Sequence, residues 1–382
     1  MTAAAAAAPT ADLVVPVPTS SIAYASQWRL MWMRFCKHRL AVVGLTVTVL
    51  IYVIALFAEI IAPANPEKAN ALLVYHPPQM IHFIDSSDGG WAFRPYAQGF
   101  TMKRDPKTLK PTFVPDEGRK IQLRFFGAGD PYRLWGVLPM NVHLLATVNP
   151  KESFFLFGSD RLGRDMLSRV VYGARITMSL GLVGVTFSVV LGIVLGGISG
   201  YYGGKVDWLI QRVVEYILSL PTIPLWLALA AALPKNWSPQ LQYLAITTII
   251  SLVGWTELAR VVRGRFLAMR GEVFVTAARL DGCSEARIIF RHMLPSLASH
   301  IIAAVSLAVP MMILAETALS FLGLGLQPPA ISWGVLLKES QNIRSIAGAP
   351  WVFIPGIAVI ITVLSLNFVG DGLRDAADPY AH

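Results

Sequence analysis

Charge is scarce in this chain. Asp, Glu, Lys and Arg supply 14% of its 382 residues and hydrophobic types 54%, whereas an ordinary soluble domain carries about 25% charge. That balance excludes a wholly water-facing body and points to lipid before any segment is considered. Cysteine is nearly absent. Cys36 and Cys283 stand far apart and neither belongs to a CxxC pair, so they build no disulfide framework and no zinc site. No HExxH pattern occurs, which leaves an intramembrane metalloprotease without support. A phosphate-cradling loop is missing as well. Gly200–Lys205 ends in Gly-Gly-Lys, but Ser199 takes the place of the required first glycine and Val206 follows the lysine. The net charge of +9 comes without the aromatic-plus-basic motifs of nucleic-acid binders, so no nucleic-acid partner is expected. Residues 1–25 hold an alanine run, Asp12 and several prolines. They lack the basic start and apolar core of a secretory signal, and 1–27 reads as a disordered tail.

What the chain does have is long apolar runs. A spanning helix needs about 20 largely apolar residues. Six stretches qualify: Leu40–Ala62, Ile176–Gly200, Trp208–Leu233, Leu241–Val262, Ala298–Leu322 and Trp351–Gly370. The second carries glycines that allow close helix contact. Pro221 and Pro224 interrupt the third, freeing carbonyls that only protein or water can satisfy. Trp28, Met31, Trp32 and Phe35 fall at helical spacing before the first span. That pattern suits an interfacial helix within 28–62, or else a plain extension of the span.

Basic residues in short connections set orientation. Arg29, Arg34, Lys37 and Arg39 precede the first span, and Arg263, Arg265, Arg270, Arg279, Arg287 and Arg291 lie between the fourth and fifth. The opposite connection, Pro234–Gln240, has Lys235 alone. Both termini are therefore expected in the cytoplasm. The segment 63–173 is too polar to span and would face the other side. Its strand-like runs Trp91–Tyr96 and Lys120–Phe126 predict a small β or irregular domain. Asp88-Gly89-Gly90 and Gly127-Ala128-Gly129-Asp130 read as turns. Trp91, Phe93, Phe125, Phe126, Tyr132 and Trp135 suggest a packed body.

Ionisable residues inside spans mark candidate pathways. Arg212 and Glu215, three apart, can pair on one helix face. With Pro221, Pro224 and Glu316 they form the set of pore or helix-interface candidates. Glu316 reads first as a carboxylate satisfied by neighbouring backbone or hydroxyls, and otherwise as a pore or subunit-interface residue.

The polar stretch 263–296 is the most informative. A short helix through Thr276, Ala277 and Ala278 reaches Gly282, and a second runs toward Leu294-Pro295. Adjacent alanines admit another surface close to the backbone, and glycine supplies the bend. Physically this is a helix-turn-helix docking knob.

That stretch resembles the cytoplasmic "EAA" loop of bacterial ABC importer permeases: EAA, three residues, Gly, nine residues, I-x-L-P. Thr276-Ala277-Ala278, Gly282 and Leu294-Pro295 stand at this spacing, with Thr276 in place of the glutamate and His292 in place of the isoleucine. Phe157-Gly158-Ser159-Asp160-Arg161-Leu162-Gly163-Arg164-Asp165, then Ser168-Arg169, is similar to the FGTDxxGRDxxSR signature of the dipeptide/oligopeptide subfamily. The stretches Ala315–Pro329, Ser332-Trp333-Gly334 and Gly370–Pro379 resemble the same subfamily, in its second-permease (C-type) branch.

The resemblance implies an all-α polytopic protein with the six-helix type I importer permease fold, its mixed or β insertion lying between helices 1 and 2. It implies a bacterial inner-membrane subunit that forms half a pore, with a homologous permease completing the heterodimer. Two ABC ATPase subunits would carry ATP and Mg, and a periplasmic solute-binding protein would deliver cargo; this chain itself would hold no cofactor or metal and catalyse nothing. Glu272, Thr276, Ala277, Ala278, Gly282, Leu294 and Pro295 are the coupling residues it implies, and Gly158, Asp160, Gly163, Arg164 and Asp165 its periplasmic signature. Cargo would be a peptide, or an oligosaccharide or glycoside, since the large insertion resembles such a branch. The rival class is a proton-coupled carrier using intramembrane carboxylates, though six spans without evident inverted repeats fit a half-pore better.

Overall fold

The computed structural model describes residues 26–85, 92–104, 111–234 and 236–377. Helix α1 (Gln27–Lys37) starts at Ser26, whose hydroxyl accepts from the Arg29 amide at 3.4 Å. It is separate from the span rather than an extension of it. His38 adopts an extended backbone (ψ 95°), and its Nδ1 accepts from the Ala41 amide at 3.1 Å, capping α2 (Arg39–Leu56). Phe35 packs on Ala41 and Ala376, while Trp28 and Trp32 stay exposed.

The first span ends earlier than Ala62. Phe57 breaks it, and α3 (Ala58–Ile61) follows. The physical reason is Arg175, which donates to the Ala55 and Leu56 carbonyls at 2.9 and 3.1 Å and grips Glu59 with both guanidinium nitrogens at 2.7 and 2.5 Å. The carbonyls left over at the helix end are thereby satisfied.

The inserted sheet is an antiparallel meander in the order β1 (Ile81–Asp85), β2 (Ala92–Arg104), β3 (Pro111–Leu134), β4 (Leu138–Thr147). Two expectations fail here. Gly127-Ala128-Gly129-Asp130 lies inside β3 as an irregularity, with the register to β4 slipping between Ala128 and Tyr132. A Cβ on Gly129 would come within 2.5 Å of the His143 ring, so the glycine makes room for a cross-strand neighbour instead of turning the chain. The aromatics are not the packed body either. Phe93, Phe125, Phe126 and Trp135 are exposed, and the sheet core is Ala97, Ile121, Leu123, Leu145 and Phe154. Trp91 and Asp88-Gly89-Gly90 lie outside the described residues. His143 pins the sheet to the end of the first span, its ring nitrogens lying 2.6 Å from the Ala62 carbonyl and 2.9 Å from that of Asp130.

The second span belongs to α4 (Met166–Tyr202), 37 residues and about 55 Å long, starting well before Ile176. The third is not continuous. Helices α5 (Gly204–Ser219) and α6 (Thr222–Ala231) meet at 89°, because Leu220 precedes Pro221 and is driven into extended geometry (ψ 137°). Pro224 sits in the first turn of α6, where its missing N–H costs nothing. Helix α7 (Pro239–Met269) packs directly against α4. A Cβ on Gly196 would sit 2.5 Å from the Ala259 carbonyl oxygen, so the two backbones touch.

After α7 come α8 (Val273–Leu280), α9 (Glu285–Arg287), a π-helical turn Ile288–Met293, and α10 (Leu294–Ser296). Helix α11 (Ala298–Phe321) is the fifth span; α12 (Trp333–Leu337) and α13 (Ile343–Gly348) precede α14 (Ile354–Ala377), which a 3-10 turn Pro350–Phe353 leads into. Among the described residues five helices are long and apolar enough to cross a membrane, six if the bent α5–α6 pair is one span. The fold is that of a polytopic helical protein carrying an inserted sheet.

Candidate functional site

The elbow 272–296 is built from a helix end and a widened turn. Helix α8 buries Val275 and Ala278 against Val262, Phe266, Ile288, Met293 and Leu297. Its end is closed by Gly282 at φ 74°, with the Cys283 amide donating to the Ala278 carbonyl at 3.1 Å and the Gly282 amide to Arg279 at 3.0 Å. This 6→1 and 5→2 pair is the Schellman arrangement, which needs a left-handed residue at the Gly282 position. The return helix is less regular than the sequence reading expected. Pro295 has no N–H and its ring crowds the carbonyl four residues earlier, so the chain widens into the π-helical turn just before it.

Of the residues read as coupling residues, Glu272, Thr276, Ala277, Gly282 and Pro295 are exposed, Leu294 is half-buried and Ala278 is buried. Thr276 Oγ1 donates to the Glu272 carbonyl at 3.2 Å, turning its hydroxyl back onto its own helix. Sequence reasoning missed four side chains here. Val273, Leu280 and Phe290 are 82%, 84% and 59% exposed on the same elbow, and Phe274 is exposed beside them. The signal was available: a helix of eight residues with apolar groups on more than one face has no inner surface for all of them. Arg279 stacks its guanidinium 5.4 Å from the Tyr201 ring centroid, and Tyr202 Oη donates to Glu285 Oε2 at 2.8 Å, tying the elbow to the end of α4.

The signature turn 157–165 is held from within, with only Arg161 and Leu162 of it exposed. Asp160 is fully buried; its Oδ1 accepts the Leu162 and Arg164 amides at 2.8 and 2.9 Å, and its Oδ2 accepts Arg164 Nε at 2.6 Å. Asp165 caps α4, accepting the Ser168 amide at 2.7 Å. Burial pushes its carboxyl up to about 6, against the pull of the Ser168 hydroxyl and backbone amides. Ser159 accepts the His76 amide at 2.7 Å, and its carbonyl accepts Trp351 Nε1 at 2.8 Å. His76 sits among Phe100, Phe113 and Phe155, and burial lowers it to about 4. The turn thus knots the sheet, α4 and the last span together.

The pore candidates separate. Arg212 and Glu215 pair at 3.0 Å on an exposed face. Glu316 is enclosed: its Oε1 accepts the hydroxyls of Ser320 and Ser332 at 2.8 and 2.7 Å, and its Oε2 has no hydrogen-bond partner among the described residues. It braces α11 against the loop before α12. Among the described residues no cluster of His, Cys, Asp and Glu is arranged for a metal ion.

Residues 192–381 match the family described as binding-protein-dependent transport system inner membrane component, and residues 26–78 match the N-terminal TM domain of oligopeptide transport permease C. The chain is 42% identical over 224 residues to the dipeptide transport system permease protein DppC of Alkalihalophilus pseudofirmus, covering 58% of this chain and 71% of that one. It is 38% identical over 238 residues to the oligopeptide transport system permease protein OppC of Haemophilus influenzae, covering 62% and 74%. A chain from inward-facing MetNI methionine ABC transporter aligns at 18% identity and a TM-score of 0.43, covering 56% of this chain and 98% of that one, a likeness too slight to bear on the fold.

Proposed function

Since the chain belongs to the inner-membrane permease family of binding-protein-dependent transporters, in its permease-C branch, we propose that it is half of a peptide-importing pore, moved by ATP hydrolysis on other subunits. The relatives named for dipeptide and oligopeptide transport support peptides over oligosaccharides as cargo. A second, homologous permease would complete the pore, two ATPase subunits holding ATP and Mg would dock beneath it, and a periplasmic binding protein would load it. The arginine-rich connection containing α8 faces the cytoplasm with both termini, and the sheet faces the periplasm, because basic short loops stay inside.

One observation carries the coupling assignment. The elbow presents Val273, Leu280 and Phe290 to the outside with no part of the described chain covering them, and exposed apolar clusters rimmed by charge mark protein contacts. Thr276, Ala277 and Gly282 give a partner access to the backbone beside them. The proton-coupled alternative would need Glu316 to exchange protons along a path, whereas its carboxylate is enclosed and held by hydroxyls.

The test is Gly282→Val in the complete transporter, with Gly136→Val as its control. Gly136 has the same left-handed backbone, φ 76°, and the same open surroundings, but lies in the β3–β4 loop. Peptide uptake and co-purification of the ATPases should fall for the first and hold for the second. Full uptake with ATPases bound in the Gly282 variant would remove the elbow as the coupling site. In intact cells, an impermeant thiol reagent should label a cysteine engineered at position 130 and spare one at 282; the reverse would invert the topology.

A further inference from the structure

The signature stretch 157–169, which marks the peptide-permease branch, meets the residues that follow α12 at a place outside the elbow. Between the signature turn and the residues following α12 lies a cavity of about 450 Å³, whose wall includes Arg161, Arg164, Arg169, Lys338, Glu339 and Asn342. Four cations and one carboxylate therefore face it. A second carboxylate, Asp160, lies behind the wall and is consumed by the turn amides and Arg164, with Arg169 Nε 3.5 Å away. Glu67 bears on Arg169 from further off.

The cations are unequally spent. Arg164 is held by Asp160 at 2.6 Å and reaches Glu339 at 3.4 Å. Arg161 reaches Glu339 only at 3.5 Å, and its side chain is 62% exposed. Lys338 is exposed and has no ion pair among the described residues; its ammonium rests beside Gly323, where a Cβ would come within 2.8 Å of Nζ. Arg169 is 3% exposed; its Nη1 donates to the Pro66 carbonyl at 3.4 Å, and its Nε, like Glu339 Oε2, has no hydrogen-bond partner among the described residues. A buried guanidinium short of partners keeps a field that water does not quench. Two exposed cations, Arg161 and Lys338, and two more enclosed ones, Arg164 and Arg169, form a receptor for an anionic oxygen pair, the geometry guanidinium groups favour.

We infer that this cavity receives the C-terminal carboxylate of the passing peptide. The inference rests on the peptide-permease reading and on the outward orientation of the signature turn. Its size falls within the range of small-ligand pockets, so the occupant is one end of a short chain and not the face of a folded partner. A phosphate headgroup would satisfy the same cations, and the experiment separates the two sources.

The complete transporter, with both permeases, the ATPases and the binding protein, is reconstituted in vesicles of zwitterionic lipid and, separately, of lipid with anionic headgroups. Uptake of a tripeptide is compared with that of its C-terminal amide at saturating loaded binding protein, for the wild type, Arg161→Gln, Lys338→Ala and Lys338→Arg. Arg161 and Lys338 are exposed, so their loss should leave the fold intact. Losing one charge-assisted hydrogen bond should slow free-acid uptake about tenfold, slow the amide less than twofold, and be rescued by Lys338→Arg. Equal slowing of both peptides would assign the cavity to assembly or to docking of the binding protein and overturn the inference. An effect confined to anionic vesicles would assign it to a lipid headgroup and overturn it too. Should the wild-type transporter move neither peptide, the peptide reading itself fails and takes this inference with it.

Discussion

Gly163 and Gly282 have nearly the same backbone, φ 72° and 74°, in surroundings that are opposites. A Cβ on Gly163 would run into the backbone carbonyl of Asn70 and press on that of Leu73, whereas one on Gly282 would meet nothing within 4 Å. The signature turn around Gly163 has its contacts inside the chain: buried Asp160, the capped start of α4, Trp351 of the final span's lead-in. The elbow around Gly282 has turn geometry of equal definition but leaves apolar groups in the open. Around Gly163 the neighbouring backbone leaves no room for a side chain, and around Gly282 it does. The same φ is thus enforced by packing around Gly163 and by the close of a helix at Gly282.

The largest expected effect breaks that contrast at the closed end. Gly163→Ala adds backbone strain to a collision with backbone that cannot rotate away, and should cost more than about 3 kcal/mol. The yield of folded protein in detergent and its melting temperature would show it; a variant melting with the wild type would mean the turn is looser than its contacts state.

An intermediate effect sharpens the account of the same turn through pH. His76 is lowered from 6.5 to about 4 by burial, so the folded state binds fewer protons in that window. Its contribution to stability is full above pH 6.5 and is lost as pH falls, about 3 kcal/mol in all. Asp165 is raised from 3.8 to about 6 by burial, so its contribution is full in acid and is lost as pH rises through that window, by a similar amount. The two oppose each other between about pH 4 and 6. Removing either should unmask the other: His76→Gln should gain melting temperature on going from pH 7 to 4.5, and Asp165→Asn should lose it. Parallel pH profiles for both variants and the wild type would show that neither group is desolvated as described.

The smallest effect belongs to the open end. Gly282→Ala carries only the left-handed strain, about 1 kcal/mol, and should shift the melting temperature of the isolated chain by no more than about 3 °C. A loss approaching that of Gly163→Ala would show that the elbow is packed within the chain after all.

Much of this was written in linear form. Apolar runs of spanning length, the arginine asymmetry and the motif spacings need no knowledge of distant contacts, and each long helix lies over the stretch its composition marked. The bend at Leu220-Pro221 was legible as an interruption, since proline acts on its own neighbours, yet nothing local sets its 89°. The glycines of α4 were legible as a contact face, but not that Gly196 would meet the Ala259 carbonyl. Gly127–Asp130 misled for the complementary reason: its composition signals a turn, and only the demand of a ring on the opposite strand, His143, converts it into a strand irregularity.

The elbow illustrates the same division. Its small residues and bend were fixed by spacing, while the exposed Val273, Leu280 and Phe290 depend on which face α8 lays against Phe266 and Met293. The convergence of 157–169 with 335–342 around Arg169 and Lys338 was beyond sequence reading altogether. By itself, the sequence determined that the chain crosses lipid, where proline interrupts a span and which subfamily its motifs resemble, because hydropathy and proline act over a few residues. Tertiary structure alone decided which charges are buried, which are left unpaired and which apolar groups remain bare, because those depend on atoms brought together from more than a hundred residues apart, such as Arg175 and Glu59 or Trp333 and Val170.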